Sequence, residues 1–344
     1  MRALVTGAAG FVGSHLTEAL LADGHGVVAL DDLSTGRWDN LPEPSDGRLA
    51  TVAGSVLDAD LVDELVSEVD VVYHLAAAVG SFVIQSRTLS SLLTNVHGTE
   101  NVLEAVRRRG ARLLIASSSE VYGKNPRVGL REDTDRIVGS PLMSRWTYSE
   151  AKAVDESLTG AYVREHGVEA VIVRLFNTVG PRQTGRYGMV LPRFVDQALA
   201  GEDLTVFGSG EQIRCFCHVA DVVPALLQLP AVDAARGRAV NLGSHEQVSI
   251  GELAARVIAL TGSASKTARV SYEDAYGAGY EDLPRRVPDC SLARELIGFA
   301  PRRTLDDVVR SLIAERGAGG QHGSGEERGP AHAGSEAATP TTSA

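Results

Sequence analysis

A short apolar run, Met1 to Val5, leads into Gly7-Ala8-Ala9-Gly10-Phe11-Val12-Gly13 and then into a helix-like stretch through Leu21. Three glycines spaced G-x-x-G-x-x-G therefore stand at a strand-to-helix turn. Gly7 permits the tight turn, Gly10 lets backbone approach a pyrophosphate, and Gly13 lets the helix pack on the sheet, while the helix N-terminus attracts phosphates. The implied ligand is a dinucleotide. A second strand, Gly26 to Leu30, ends in Asp31-Asp32. A carboxylate there accepts hydrogen bonds from adenosine ribose hydroxyls and repels a 2′-phosphate, so NAD is expected rather than NADP. Asp31 is the first choice; Asp32 fits a solvated loop carboxylate equally well.

At 344 residues the chain can bury a full core as one large or two closely joined domains. Its net charge of −11 argues against a general nucleic-acid partner, while leaving room for a local basic pocket. No apolar run reaches the length of a membrane span, and no secretory signal pattern is present, so a cytoplasmic location is expected. The three cysteines, Cys215, Cys217 and Cys290, have neither C-x-x-C spacing nor clustered histidines, and no metal site is expected. Cys215 and Cys217 alternate in a strand-like run, 213–219, and are read as small buried residues facing one side.

Apolar strands alternate with helical patterns at Ala3–Thr6, Val27–Leu30, Leu49–Val52, Val71–Leu75, Leu113–Ser117 and Ala170–Leu175. That alternation predicts an α/β fold, a doubly wound parallel sheet of the Rossmann type, with a smaller C-terminal α/β substrate-binding lobe. The expected division is a dinucleotide domain over 1–177 with returning segments near 213–245, a substrate lobe over 178–316, and a disordered tail over 317–344. The tail contains no Val, Ile, Leu, Met or aromatic residue with which to offset ordering entropy. The basic run Arg107-Arg108-Arg109 closes a helix beginning near Leu89 and is assigned to capping and solvation.

Tyr148 and Lys152 lie four apart on a helical pattern and so share one face. A tyrosine serves as a base at neutral pH only where a nearby cation favours phenolate, and Lys152 supplies that cation. Ser117-Ser118-Ser119-Glu120 ends a strand of the parallel sheet, where such sheets place ligands.

Taken with His74-Leu75-Ala76-Ala77, Asn95 with Gly98-Thr99, and Arg174-Leu175-Phe176-Asn177-Thr178-Val179-Gly180-Pro181, these segments give the chain a resemblance over about residues 1–315. It resembles an extended short-chain dehydrogenase/reductase of the nucleotide-sugar epimerase/dehydratase type. The resemblance implies NAD contacts at Gly7, Gly10, Phe11, Val12 and Gly13, at Asp31 and Asp32, and at Ser55 and Val56. It implies further contacts at Leu75, Ala76, Ala77 and Asn95, and from Tyr148 and Lys152. Ser55 stands where relatives often carry an aspartate toward adenine, and Asp58 reads as a helix N-cap. Tyr148 would take the sugar 4-hydroxyl proton with Ser118 on the same oxygen. Asn177 and Arg214 would meet the substrate diphosphate, with Arg182 and Arg186 as weaker loop candidates.

The reaction turns on Ser119 and Glu120. Ser119, a substrate-binding position, replaces the aspartate that serves dehydratases as an acid, which disfavours dehydration. Glu120 and Arg286, in Arg286-Val287-Pro288-Asp289, resemble UDP-glucuronate decarboxylases, where the glutamate would handle a proton or water and the arginine would orient a carboxylate. Simpler readings stand beside these: Glu120 as a turn cap, Arg286 paired with Asp289 or Asp282. The resemblance thus implies NAD-dependent conversion of UDP-glucuronate to UDP-xylose or a UDP-4-keto-pentose by a homodimer. A UDP-hexose or UDP-uronate 4-epimerase is the alternative, and a non-enzymatic NAD-binding regulator the second.

Overall fold

The computed structural model describes residues 1–43, 47–80, 87–185, 188–276 and 282–319. Seven parallel strands form the main sheet: β1 (Arg2–Thr6), β2 (Gly26–Asp31), β3 (Leu49–Ala53), β4 (Val71–His74), β5 (Arg112–Ser118), β6 (Ala170–Leu175) and β11 (Ala239–Leu242). Their spatial order is β11-β6-β5-β4-β1-β2-β3, so the winding direction reverses between β1 and β4. Ligands of open α/β sheets bind beyond the strand C-termini at such a reversal. The glycine turn follows β1 directly at that place.

Side-chain alternation along each strand separates two cores. Ala3, Val5, Val27, Ala29 and Tyr73 face one layer, with α1 (Phe11–Ala22) and α6 (Val219–Gln228) packed on it. Leu4, Val28, Leu30 and Val72 face the other, under α2 (Ala59–Val66) and α3 (Thr88–Arg109), with α4 (Thr147–His166) alongside. A parallel sheet covered on both faces needs apolar residues on both, which is why these strands read as continuous apolar runs. Arg107 and Arg108 pair with Glu104, and Arg109 with Asp63, at the exposed end of α3.

A third core belongs to the second lobe. It joins α5 (Val190–Ala200), α7 (Ile250–Thr261) and α10 (Leu305–Gly319) around β8 (Leu204–Phe207), which pairs with β13 (Thr267–Val270). Between the lobes the chain does not run as the single strand expected over 213–219. It breaks at Phe216 into β9 (Ile213–Cys215), paired with β12 (Gln247–Ser249), and β10 (Cys217–His218), paired with β7 (Thr178–Val179). All three cysteines are buried, and none forms a disulfide. At the far end α10 carries Gly317 through Gly319 within its helix, so the last helix reaches past the start expected for the tail; residues 320–344 lie outside the described residues.

Candidate active site

The glycine turn is built for close approach. Gly7 has φ +70°, and a Cβ there would meet the Ala76 amide nitrogen at 2.8 Å. A Cβ on Gly13 would run into the Gly7 carbonyl oxygen. Gly10 caps α1 without a side chain, leaving the first helical amides facing outward for phosphate. Gly13→Ala is therefore expected to cost about 1–3 kcal/mol of stability and to abolish dinucleotide binding; thermal denaturation and NAD titration check both. Phe11 and Val12 occupy the first turn of α1 behind the loop.

Asp31 is buried at the end of β2 and accepts hydrogen bonds from the Ala9 and Leu33 amides at 2.9 and 2.8 Å. Burial pushes its carboxyl up, while those two amides pull it back down. Asp32 is exposed and caps only its own turn through the Ser34 amide. Two other expected contacts are committed locally. The Ser55 hydroxyl accepts from the Leu57 amide, and the Val56 side chain lies in the core beneath α3. Asn95 is buried and grips both backbone groups of Ala78 at 2.7 and 3.2 Å, so it holds the loop after β4 rather than pointing at a ligand. Leu75, Ala76 and Ala77 open that loop beside the glycine turn, with the Ala76 amide donating to Thr6 Oγ1. Asp58 caps α2 through the Leu61 amide, as expected.

Ser118 ends β5 and caps a 3₁₀ turn, Ser119–Tyr122, by accepting from the Glu120 amide at 3.2 Å. The Ser149 hydroxyl donates to the Glu120 carbonyl oxygen at 2.7 Å, tying α4 to that turn. This tie sets Tyr148 near Ser118, whose hydroxyl favours the ionised phenol. Lys152 is buried one turn further along the helix. The expected effect of Lys152 has the right sign but does not win in this resting arrangement. Burial pushes the phenol up, Lys152 and Ser118 pull it down, and the Glu120 and Asp155 carboxylates push it up again, for a net rise.

Glu120 is held between two arginines. Arg286 Nη1 donates to Oε1 at 2.6 Å and Arg145 Nη1 to Oε2 at 2.8 Å. Burial opposes the charge, yet the two guanidiniums keep the carboxyl ionised, well below the usual carboxylate range. Such a group orients its neighbours and is a poor store of protons at rest. Neither simpler pairing of Arg286 occurs: Asp282 takes Arg214 instead, at 2.8 Å, and Asp289 accepts from the Ser291 amide. Two Arg286 nitrogens, Nε and Nη2, are buried without a hydrogen-bond partner among the described residues.

Glu120, Arg145 and Arg286 open into a cavity of about 190 Å³ that Asn177, Arg193, Arg214 and Asp282 also line. Four arginines face two carboxylates there, a local positive surplus on a chain of net charge −11. Asn177 follows β6 with φ +37°, its amide nitrogen donating to the Cys215 carbonyl at 2.8 Å. That sparsely populated backbone is held at the site by the β7–β10 pairing next to it. Two expected substrate contacts fall elsewhere. Arg182 reaches Glu18 on α1 at 2.9 Å, and its amide meets Glu315 on α10; Ser119 is buried outside the cavity lining. Arg186 lies outside the described residues. Arg145 was not singled out by its sequence context, although its place three before Tyr148 is one helical turn away.

Residues 3–243 match the NAD dependent epimerase/dehydratase family. The chain belongs to that family. It is 38% identical over 314 residues to a UDP-N-acetyl-alpha-D-glucosaminuronate decarboxylase of Bacillus cytotoxicus, covering 91% of this chain and 96% of that protein. It is 38% identical over 312 residues to UDP-glucuronic acid decarboxylase 1 of Xenopus tropicalis, covering 91% and 71%. Among solved structures it resembles the UDP-glucuronic acid 4-epimerase of Bacillus cereus, crystallised with UDP-glucuronic acid and NAD. That match has a TM-score of 0.83 at 27% identity and covers 92% of this chain and 99% of the other. NAD is the cofactor of the family. The Gly7–Gly13 cradle, the uncapped start of α1 and the buried Asp31 carboxylate fit it.

Proposed function

We propose that the protein is a UDP-glucuronate decarboxylase: it oxidises C4 of the uronate, releases C6 as carbon dioxide, and yields UDP-xylose or the UDP-4-keto-pentose. The observation that carries this reading is the Arg286 guanidinium, ion-paired with Glu120 and keeping two buried nitrogens unpartnered among the described residues, on the lining of a cavity where arginines outnumber carboxylates. A buried guanidinium face with free donors suits a second carboxylate, because paired charge-assisted hydrogen bonds repay desolvation that a neutral hydroxymethyl group cannot. Gly7, Gly10, Gly13 and Asp31 would hold NAD. When bound, NAD would supply the hydride acceptor for C4 and, where UDP-xylose is the product, the donor for its reduction, and it would add positive charge near the phenol.

The chain's own residues do the remainder. Tyr148 removes the C4 hydroxyl proton while Ser118 hydrogen-bonds the same oxygen. The resulting β-keto acid loses C6 when the C5–C6 bond breaks and its electron pair moves into the C4 carbonyl. Tyr148 and Ser118 then stabilise the enolate oxygen, and a proton taken up at C5 from solvent gives the 4-keto-pentose. Arg286 aims the departing carboxylate, and ionised Glu120 fixes Arg286 and Arg145 in register. Asn177 and Arg214 bind the diphosphate.

Leu89, Leu93 and Val154 are exposed to 70%, 41% and 41% on α3 and α4, which supports a homodimer through those helices. Free, buried cysteines support a cytoplasmic location; among the described residues no helix is long and apolar enough to cross a membrane.

Incubation with UDP-glucuronate carrying ¹³C at C6, and in parallel with UDP-N-acetylglucosaminuronate, tests the reading by NMR. Labelled carbon dioxide and a pentose nucleotide are expected from the first. A six-carbon C4 epimer without carbon dioxide would establish the 4-epimerase instead.

A further inference from the structure

Asp155 lies three residues beyond Lys152 on α4, and neither side chain reaches solvent: their exposures are 1% and 3%. Lys152 Nζ donates to Asp155 Oδ2 at 3.1 Å. An aspartate in this layer is an expensive choice unless it has a task, since a buried carboxylate is tolerated only when paired. Lys152 engages one carboxylate oxygen, and the other, Oδ1, is buried without a hydrogen-bond partner among the described residues. The Thr99 hydroxyl from α3 favours the ionised form of Asp155, and Thr99 Oγ1 also lies 3.2 Å from His74 Nε2. His74 Nδ1 in turn meets Thr6 Oγ1 at 2.8 Å, and Thr6 Oγ1 accepts from the Ala76 amide. A buried polar chain thus runs from the foot of the glycine turn to Thr99, beside the Lys152–Asp155 pair.

We propose that Asp155 is a positioning residue: it keeps the Lys152 ammonium charged in a buried site and aimed at Tyr148. The groups facing this pair are Tyr148 and Glu156 on the same helix, Glu120 from the 3₁₀ turn, and His74 from β4. His74 adds no charge, because burial and the neighbouring ammonium push it down to about 3. Burial alone would depress Lys152; Asp155 and then Tyr148 more than compensate, and its pKa is raised. The same burial pushes Asp155 up, opposed by Lys152 and Thr99. Asp155 therefore acts twice. It secures the cation that favours phenolate, and it offsets part of that cation's field, holding the proton on the phenol until reaction.

This rests on the acid–base roles of Tyr148 and Lys152, but its test is read on the protein without substrate and is independent of which sugar is turned over. The sequence contains three lysines, Lys124, Lys152 and Lys266. Full-length protein labelled with ¹³C-lysine therefore gives three Cε signals, with that of Lys152 assigned by its loss in Lys152→Met and the other two reporting any global change. In the native protein Lys152 should titrate above the ordinary value near 10.4. In Asp155→Asn it should titrate at least about one pH unit lower than in the native protein, because burial then acts unopposed. Turnover should fall about tenfold with KM for the nucleotide sugar changed less than about twofold, and Asp155→Glu should restore part of it. A native Lys152 midpoint below 10.4 overturns the proposal, even if Asp155→Asn fails to fold. So does a folded Asp155→Asn protein whose Lys152 midpoint is unmoved.

Discussion

Tyr148→Phe is expected to lower turnover of UDP-glucuronate by about 10²–10⁴-fold, the span that a positioned general base supplies. Binding of NAD should change by less than about threefold, since the ring remains and only the hydroxyl is lost. Stopped-flow absorbance of the reduced nicotinamide during a single turnover, with NAD titration alongside, measures the two effects separately. The pH dependence sharpens the test. A base acts only in its deprotonated form, and burial holds the Tyr148 phenol above its ordinary value in the resting site. The native rate should therefore rise with pH along an acid limb, and Tyr148→Phe should flatten that limb. Undiminished turnover in Tyr148→Phe would remove the phenol from the mechanism. It would leave another base to explain the chemistry, whereas absence of turnover in the native protein would favour the NAD-binding regulator.

The elements that fit the cofactor were legible because their physics is local. A glycine triplet between a strand and a helix, and an acid at the end of the next strand, act through backbone geometry and short-range charge, and Gly7, Gly13 and Asp31 stand where that geometry requires. The pairing of Tyr148 with Lys152 follows from helical period alone. Contacts across large sequence separations were not legible in the same way. Glu120 and Arg286 are 166 residues apart, and only a resemblance linked them; their 2.6 Å ion pair depends on how the second lobe folds back onto the 3₁₀ turn. The side chains of Asn95 and Val56 show packing that sequence spacing does not reveal. Both lie near the cofactor cleft in sequence logic, yet Asn95 is spent on Ala78 backbone and Val56 on core packing. Asp155 was not singled out in the sequence, although it stands three residues after Lys152, because its burial comes from packing of α3 against α4.

Arg286→Gln is expected to reduce kcat/KM for UDP-glucuronate by about 10²–10³-fold, the equivalent of about 3–4 kcal/mol for a buried carboxylate deprived of its guanidinium. The argument depends on charge balance. With both arginines present, two guanidiniums serve one glutamate, leaving Arg286 Nε and Nη2 for a second carboxylate. Removing Arg286 leaves Arg145 paired with Glu120 and Arg214 with Asp282, so the incoming uronate meets Glu120 with one guanidinium fewer to offset it. UDP-glucose, which lacks the C6 carboxylate, provides the control as a competitive inhibitor. Its binding should weaken by less than about threefold, because a rim or positioning effect on the nucleotide would act equally on both sugars while a lost charge pair acts on the uronate alone. Equal losses for the two ligands would show that Arg286 shapes the pocket instead of reading the carboxylate. Adding Glu120→Gln to Arg286→Gln gives the remaining discrimination. It frees Arg145 and should recover part of the uronate affinity, while the rate stays low because that guanidinium approaches from the α4 side and does not aim the leaving carboxylate as Arg286 does.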